Sequence, residues 1–200
     1  ALDGVEQVHG ALEAVGAQLA RDGAEAAVLT SPASLAWAFN IRGSDVSRTP
    51  VTLAFALIHA DGTAQLCIDE TKVTAEVRAH LGNAVRIIPR ADFSAALDGL
   101  AGKHVAVDPD HAVPAIIARL EAAGAIIERL RDPTVLPKAV KNPVELAGIR
   151  AAHVRDGAAL SRFLHWVDAT APSGSVDELS AAAKLESLRA EGGDLVDLSF

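Results

Sequence analysis

The sequence has a single cysteine, Cys67, among its 200 residues, which excludes an intramolecular disulfide and a thiolate metal site. It also lacks any apolar run close to the roughly 20 residues that cross a bilayer. The segment ALDGVEQVHG has neither the basic nor the apolar region of a signal peptide. These absences are typical of a protein in a reducing compartment, and we expect a cytoplasmic location with no membrane partner.

Basic residues are in the minority, with 18 Lys and Arg against 26 Asp and Glu and a formal net charge of −8. Nucleic-acid binding needs clustered cations that displace counterions from phosphates, so no nucleic-acid partner is expected. Half of the residues are hydrophobic and 22% are charged, which argues against a disordered chain. The length suits one domain or two small ones.

Methionine is absent, although an open reading frame begins with it. At the other end, Leu195, Val196, Leu198 and Phe200 have the spacing of a β-strand, and no partner strand follows them. We therefore expect the sequence to be a piece of a longer protein.

Helix and strand patterns alternate along most of the chain. Apolar residues recur every three or four positions from Val5 to Leu19, which predicts an amphipathic helix. Short apolar runs predict strands at 26–30, 85–89, 104–107 and 125–130, with helices at 31–39, 92–100 and 111–123. This order predicts an α/β domain with a mixed β-sheet flanked by helices.

A β-hairpin is predicted where two apolar runs, 51–60 and 63–69, flank the pair Asp61 and Gly62. An Asp-Gly pair favours a type I′ turn, in which both central residues have positive φ. After the hairpin, Asp69 is expected to cap a helix that Gly82 ends.

A linker is predicted at 131–141, where two prolines and alternating charges interrupt the pattern. We place a domain boundary there, with residues 1–135 in one domain and 136–200 in a second. The sequences Asn-Pro-Val-Glu at 142–145 and Ser-Val-Asp-Glu at 175–178 are capping patterns that predict helices ending near residues 169 and 191.

The common catalytic motifs are missing from the sequence, namely the phosphate loop, HExxH and GxSxG. The densest ionisable group is HVAVDPDH, in which His104, Asp108, Asp110 and His111 are of the types that bind divalent metals. The preferred interpretation is structural, because Asp108 can turn the chain and Asp110 can cap the next helix.

Two histidines of the helix predicted from residue 142 allow a functional and a structural interpretation. His153 lies on an apolar stripe with Leu146, Ile149, Leu160 and Leu164, and is expected to be a core or interdomain residue rather than a ligand. His165 lies near the predicted helix end, where the helix dipole favours an imidazolium.

The polar loop NIRGSD at 40–45 carries the remaining candidate. Arg42 has a planar guanidinium that suits a carboxylate, so it is a candidate contact for a peptide substrate or an adjacent domain. Spacing alone favours the alternative, an intrachain salt bridge that orders a turn. Asp45 can accept a neighbouring N–H group or pair with Arg48.

The stretch LAWAFNIRGSDVSRTPVTLAFALIHADG resembles the middle domain of the Xaa-Pro aminopeptidase (aminopeptidase P) family. The stretches KNPVELAGIRAAHVRDGAALSRFLHWVD and VDELSAAAKLESLRAEGGDLVDLSF resemble the first two helices and first strand of its pita-bread catalytic domain. This resemblance implies a creatinase amino-terminal-like, ribonuclease H-like domain at 1–135 and an incomplete catalytic domain at 136–200. Ala33 departs from the Asp of many relatives, which leaves Arg42 the better candidate for a polar contact.

The resemblance further implies a metal-dependent hydrolase that removes the N-terminal residue preceding a proline. In that family two divalent ions, commonly manganese, are held by two aspartates, a histidine and two glutamates. All five ligands follow the position that matches Phe200. No catalytic or metal-binding residue is therefore assigned to this chain, which is expected to be inactive and to bind no metal. The parent's expected partners are an Xaa-Pro peptide and a second copy in a homodimer.

Two alternatives stay open from the sequence. One is a non-catalytic module of the same fold that binds peptides or proteins. The other is an unrelated α/β enzyme that uses the HVAVDPDH carboxylates with a metal.

Overall fold

The computed structural model describes residues 4–195 and divides into two compact units, Ala1–Val140 and Lys141–Phe200. The described part of the first unit contains α1 (Gly4–Arg21), β1 (Ala26–Leu29), α2 (Pro32–Ala38), β2 (Phe55–His59), β3 (Ala64–Ile68), α3 (Ala75–Leu81), β4 (Val85–Pro89), α4 (Phe93–Asp98), β5 (His104–Val107), α5 (Pro114–Ala123), β6 (Ile126–Arg129) and α6 (Val135–Ala139). The second contains α7 (Pro143–Thr170) and α8 (Glu178–Ala190). The assignment of 1–135 and 136–200 to two domains of a longer protein stays a prediction. The predicted strand from Leu195 to Phe200 lies outside the described residues except for Leu195.

One sheet runs through the first unit, with the strand order β4-β3-β2-β1-β5-β6. The β1–β2 and β2–β3 pairs are antiparallel, and the β1–β5, β3–β4 and β5–β6 pairs are parallel. Parallel neighbours cannot be joined by a tight turn, so helical connections run between them across the sheet faces. The predicted mixed β-sheet flanked by helices is confirmed.

The helices α1, α2 and α3 cover one face of the sheet. The buried stripe of α1 is the one that the sequence predicts, Val8, Leu12, Val15 and Leu19. It belongs to one core cluster with Leu35 of α2, Leu81 of α3 and Ile58 of β2. Each fully buried leucine in such a cluster contributes about 1.5–3 kcal/mol through burial of apolar surface.

The helices α4 and α5 cover the opposite face. Leu97 of α4 and Leu120 of α5 form a second core cluster with Leu57 and Cys67 of the sheet. Leu57 belongs to this cluster and its neighbour Ile58 to the first, because successive side chains of a strand point to opposite faces. Both faces of the central strands are therefore buried.

The hairpin is confirmed, but its predicted turn type is wrong. Gly62 has a φ of +82°, but the φ of Asp61 is not positive. A type I′ turn needs a positive φ at both central residues, so this turn type is excluded. The Gly62 N–H donates to the His59 carbonyl and the His59 N–H to the Thr63 carbonyl, as in a three-residue loop with a left-handed glycine. Asp61 accepts the N–H and hydroxyl of Thr63, at 2.9 and 2.7 Å.

The helix predicted after Asp69 is interrupted. Asp69 caps only the short 3₁₀ segment Glu70–Lys72, and Thr74 begins α3 by accepting the Val77 N–H. The break follows from the hydroxyl of Thr74, which competes for the backbone N–H groups of the next turn. Gly82 ends α3 with a φ of +67°, as predicted.

In the second unit, α7 begins at the predicted capping box. Asn142 accepts the Glu145 N–H at 2.9 Å and Glu145 accepts the Asn142 N–H at 2.8 Å. The predicted cap of α8 is wrong, because Asp177 rather than Ser175 is the N-cap and pairs reciprocally with Ser180. A carboxylate at that position satisfies the helix N-terminus and also complements its dipole.

The seam between α7 and α8 is short. Its buried apolar residues within the described part are Ala159 and Leu188, and Arg189 bonds Asp156 across it at 2.6 Å. His153 is exposed, so it is not a core residue of this unit, which buries the side of the helix that carries Ala159. The other half of the prediction, an interdomain histidine, stays a prediction. Although α7 has 28 residues, neither it nor any other described helix is apolar enough to span a membrane.

Candidate functional site

The loop after α2 positions Arg42, the candidate residue of the sequence. Its Nη1 donates to the carbonyl oxygens of Ala36, at 3.0 Å, and Ile41, at 2.9 Å. Ala36 belongs to the last turn of α2, where carbonyl oxygens carry a partial negative charge and favour a cation, and its oxygen also accepts the Ile41 N–H at 3.2 Å. Among the described residues Arg42 therefore orders its turn by binding backbone oxygens rather than a carboxylate.

Asp45 ties the same loop to the segment that follows β3. It accepts hydrogen bonds from Lys72 Nζ at 2.7 Å, the Leu53 N–H at 2.7 Å and the Thr52 hydroxyl at 2.9 Å. The predicted acceptance of a neighbouring N–H is confirmed, and Lys72 takes the place proposed for Arg48. The Lys72 ammonium and the Leu53 N–H lower the pKa of Asp45 from 3.8 to about 2, so the carboxylate is ionised at neutral pH.

A cavity of about 350 Å³ lies beside this loop, lined by Arg42, Gly43, Asp45, Thr52 and Lys72 among others. Its volume is at the low end of the range for small-molecule sites. A Cβ on Gly43 would lie 2.8 Å from the Thr52 Cβ, so no larger residue fits without displacing a neighbouring segment. The loop is thus a tightly packed wall of the cavity.

The HVAVDPDH residues divide between the two ends of β5. His104 begins the strand and bonds Glu128 at 2.8 Å, whereas Asp108 follows it and bonds the His111 Nδ1 at 3.0 Å. Asp108 also accepts the Asp110 N–H, which confirms its role in the turn. Asp110 does not cap the next helix as predicted, because α5 begins at Pro114 with Val113 as N-cap.

A buried hydrogen-bond network lies after the C-terminal end of β5, and the sequence does not predict it. Asp108 accepts the Asp132 N–H at 2.9 Å, and Asp132 accepts the N–H and hydroxyl of Thr134 at 2.8 and 2.7 Å. Burial raises the pKa of Asp108, but the N–H groups of Asp132 and Asp110 outweigh it and leave that pKa lowered. Within the described residues, no three His, Cys, Asp or Glu side chains are grouped to hold a metal ion.

The creatinase/prolidase N-terminal domain family matches residues 5–145. The chain belongs to this family. An Aspergillus clavatus protein described as a probable Xaa-Pro aminopeptidase P is 39% identical over 177 residues, covering 83% of this chain and 27% of that protein. A Tuber melanosporum protein of the same description is 33% identical over 205 residues, covering 94% of this chain and 33% of its own length.

This chain is also similar to solved structures of peptidases that act at proline. An X-prolyl aminopeptidase from Caenorhabditis elegans, described as a cytosolic enzyme with a di-nuclear active site, matches with a TM-score of 0.83 and 26% identity. That match covers 100% of this chain and 33% of the other. A Bacillus anthracis Xaa-Pro dipeptidase shares the fold, with a TM-score of 0.68 and 16% identity over 92% of this chain and 49% of its own.

These matches confirm the resemblance to Xaa-Pro aminopeptidases. They also confirm the fold class, a creatinase/prolidase N-terminal domain followed by part of a catalytic domain. The chain spans about a third or less of the two fungal relatives and of the Caenorhabditis elegans enzyme. The site around Arg42 is therefore a site of a creatinase/prolidase N-terminal domain, and its role there stays a prediction.

Proposed function

We propose that the chain is the middle domain and the start of the catalytic domain of a metal-dependent aminopeptidase that cleaves an N-terminal residue from a following proline. The observation that carries this proposal is the likeness to the Caenorhabditis elegans X-prolyl aminopeptidase, which extends over the whole chain. The fungal relatives support it, because their similarity also extends over most of the chain.

The two-metal centre of the proposed enzyme does not fit the residues that the structure describes. The best candidate cluster, around Asp108, already uses its carboxylate oxygens to accept the N–H groups of Asp110 and Asp132 and the His111 ring. The family resemblance puts the ligands after the position matching Phe200. We therefore assign these 200 residues a supporting role, without catalytic or metal-binding residues of their own.

The finer properties of the whole enzyme follow from the same resemblance. We propose two divalent ions, manganese in the first place, a homodimer, and a cytoplasmic location. The location is supported by the Caenorhabditis elegans enzyme, which is described as cytosolic.

An activity assay tests the division of roles. The purified 200-residue chain is incubated with an Xaa-Pro peptide and manganese, beside a longer protein that contains this sequence and the downstream region. We expect turnover from the longer protein only, and loss of that turnover with a chelator. Chelator-sensitive turnover by the 200-residue chain would overturn the supporting role, and an inactive longer protein would overturn the proposed enzyme.

Arg42 is the proposed contact of this region with the substrate side or with an adjacent domain. Its Nη1 is held by the carbonyl oxygens of Ala36 and Ile41, and Arg42 lines a cavity together with Lys72 and Asp45. An arginine anchored through one nitrogen keeps its remaining donors in a fixed plane, which suits a carboxylate.

The variant Arg42→Lys in the longer protein tests this contact. Lysine keeps the charge but loses the planar fork, so we expect a KM for the peptide raised roughly tenfold with kcat little changed. The control is Arg129→Lys on the edge strand β6, which should leave KM unchanged. An unaltered KM in the Arg42 variant, with the protein folded, would leave Arg42 a purely structural residue.

A second candidate function, a non-catalytic binding module, is favoured by the apolar side chains that α7 and α8 expose. Val144 and Val154 of α7 are about three-quarters exposed and Leu179 of α8 is 81% exposed. Such residues mark surfaces that another polypeptide covers. Absence of the five ligands from the downstream sequence would favour this candidate over the peptidase.

A further inference from the structure

The carboxyl ends of β1 and β5 lie side by side at one end of the sheet. The two strands are parallel, but β1 leads into α2 on one face of the sheet and β5 leads into α5 on the other. Open α/β sheets have a crevice at such a point, and it is where they commonly bind ligands. Here the Thr30 hydroxyl, after β1, donates to the His111 carbonyl, after β5, at 3.0 Å. The two loops that border the crevice are therefore bonded to each other.

The segment that follows β6 crosses this end of the sheet. The Leu130 N–H donates to the carbonyl of Val107, the last residue of β5, at 3.2 Å. The Asp132 N–H then donates to Asp108 at 2.9 Å, and the short helix α6 contacts α2. Residues 130–139 thus pass from the end of β6, over the end of β5, to the helix that follows β1. We call this segment the strap.

The strap is attached mainly through polar groups. Within residues 130–139 the buried residues are Asp132 and Thr134, and Leu130 is partly buried against the first core cluster. Leu136 of α6, in contrast, is exposed. A segment that buries so little apolar surface opens at a lower free energy than the strands of the core. The segment predicted to be a linker is therefore bound to the first unit, but more weakly than the sheet is held together.

One buried carboxylate, Asp108, receives the strap. Its Oδ2 accepts the Asp132 N–H and lies 3.0 Å from the His111 Nδ1, and its Oδ1 accepts the Asp110 N–H at 2.9 Å. Asp132 in turn accepts the N–H and hydroxyl of Thr134 within the strap. Without the Asp108 carboxylate, the N–H of the buried Asp132 would lose its acceptor, which is costly inside a protein.

The strap also sets the length of chain that connects the two units. It ends at Ala139, and α7 begins at Pro143. While the strap is attached, the connection consists of residues 140–142. When the strap is released, the connection extends from residue 130 to residue 142.

We propose that residues 130–139 form a releasable strap, which Asp108 anchors over the carboxyl ends of β1 and β5, and which opens while the sheet stays folded. Few contacts break in this opening, because the anchor is a set of hydrogen bonds rather than a row of buried leucines. Release uncovers the crevice and lengthens the connection to the second unit. The proposal is independent of the proposed peptidase function, because each of these contacts lies within the first unit.

Amide hydrogen exchange of the 200-residue chain, measured by NMR at increasing urea below the unfolding transition, tests the strap. The reporters are the N–H groups of Leu130, Thr134 and Lys138, which donate to acceptors other than Asp108. We expect one common opening for the three, faster than that of β1 and β2 and less dependent on urea, because local opening exposes little surface. Reporters that open separately, or only together with β1 and β2, would overturn the proposal.

The variant Asp108→Ala removes the anchor, and Asp98→Ala is its matched control. Asp98 is also a hydrogen-bonded carboxylate of the first unit, but its partner Arg119 lies on α5. Asp108→Ala should speed the exchange of all three reporters roughly tenfold or more, with the urea dependence still small.

The control should change the rates of the reporters by less than about twofold. Unchanged reporter rates in Asp108→Ala, or an equal increase in Asp98→Ala, would show that Asp108 is not the anchor. If Asp108→Ala does not fold, the exchange of the unmodified chain decides, since a strap without a common local opening contradicts the proposal by itself.

Discussion

The two units of the chain bury their apolar residues to very different extents. In the first, residues of every central strand and of the covering helices are buried, and Leu57 in the middle of the sheet is 0% exposed. In the second, the described buried apolar residues are Ala159 and Leu188, while Leu179 is 81% exposed. The first unit thus closes its own core, and the second holds two helices by one narrow seam.

The difference shows that helix formation and core formation are separable. Both helices of the second unit begin with reciprocal caps, at Asn142 with Glu145 and at Asp177 with Ser180. Caps stabilise a helix end by about 1 kcal/mol, whereas a buried leucine contributes two or three times as much. Local signals therefore define α7 and α8, and tertiary burial stabilises the first unit.

The largest expected difference between the units is in the free energy of unfolding that is lost when one leucine of each unit is replaced by alanine. Leu57→Ala opens a cavity in the second core cluster and is expected to lower the free energy of unfolding by about 2–5 kcal/mol. Leu179→Ala, at an exposed site, is expected to change it by less than about 0.5 kcal/mol. Urea unfolding measures both values.

The two tryptophans allow each unit to be followed separately in that experiment. Trp37 lies in α2 and Trp166 in α7, so the backgrounds Trp166→Phe and Trp37→Phe report one unit each by fluorescence. If the two leucine variants lose similar free energies of unfolding, Leu179 of α8 is as well buried in solution as Leu57 of the sheet. The two units would then not differ in burial as described.

A smaller effect is expected from the buried network of the first unit. Asp132→Ala leaves the N–H and hydroxyl of Thr134 without their acceptor, and Thr134 is 0% exposed. A buried donor without a partner costs about 1–3 kcal/mol of folding stability. The loss should appear in urea unfolding followed by Trp37 fluorescence.

Asp61→Ala is the matched control for that variant. Asp61 makes the same two bonds to Thr63, but this pair is exposed and water can replace the carboxylate. We expect a loss below about 1 kcal/mol. An equal loss of stability from both variants would mean that burial does not determine how much these aspartate–threonine hydrogen bonds stabilise the fold.

The smallest expected effect is the change of folding stability with pH that comes from Asp45, in the loop of Arg42. The pKa of Asp45 is lowered from 3.8 to about 2 in the folded protein, chiefly by the Lys72 ammonium. A group with a lowered folded pKa stabilises above its unfolded pKa, and this stabilisation is lost as the pH falls through the folded pKa.

Stability measured between pH 4 and pH 2 therefore tests the Asp45 carboxylate. The unmodified chain should lose stability more steeply across this interval than Asp45→Asn, which has no proton to gain there. The difference should shrink at high salt because the ion pair is near the surface. Parallel curves for the two proteins would show that Lys72 does not hold Asp45 in solution.

Much of the fold is predictable from the sequence because its signals are local. The apolar stripe of α1 and the Asn-Pro-Val-Glu start of α7 each depend on residues a few positions apart, and both are confirmed. The errors arise where two local signals compete. At Asp61 and Gly62, for example, the pair suggests a type I′ turn, but the Asp61 carboxylate binds Thr63 and a different loop results.

The pattern Asp-x-Thr is one local signal that sequence reasoning overlooked. It occurs four times in the sequence. At Asp61, Asp69 and Asp132 one carboxylate oxygen accepts both the N–H and the hydroxyl of the threonine two residues on. The fourth occurrence, at Asp168, lies inside α7. Such side-chain bonds to nearby backbone compete with regular structure and favour turns. The pattern is therefore a local signal for these three turns only where no helix pattern competes with it, as one does at Asp168.

The sequence by itself determined the family and fold class, the order of helices and strands, and the residues that start and end several of them. Only the tertiary structure decided what Arg42, Asp45 and Asp108 bind, and which residues line the cavity beside Arg42. The reason is physical. Helix periodicity and caps depend on residues a few positions apart, whereas the partners Lys72 for Asp45 and Asp132 for Asp108 are 27 and 24 residues away along the chain. Packing of the sheet brings them together.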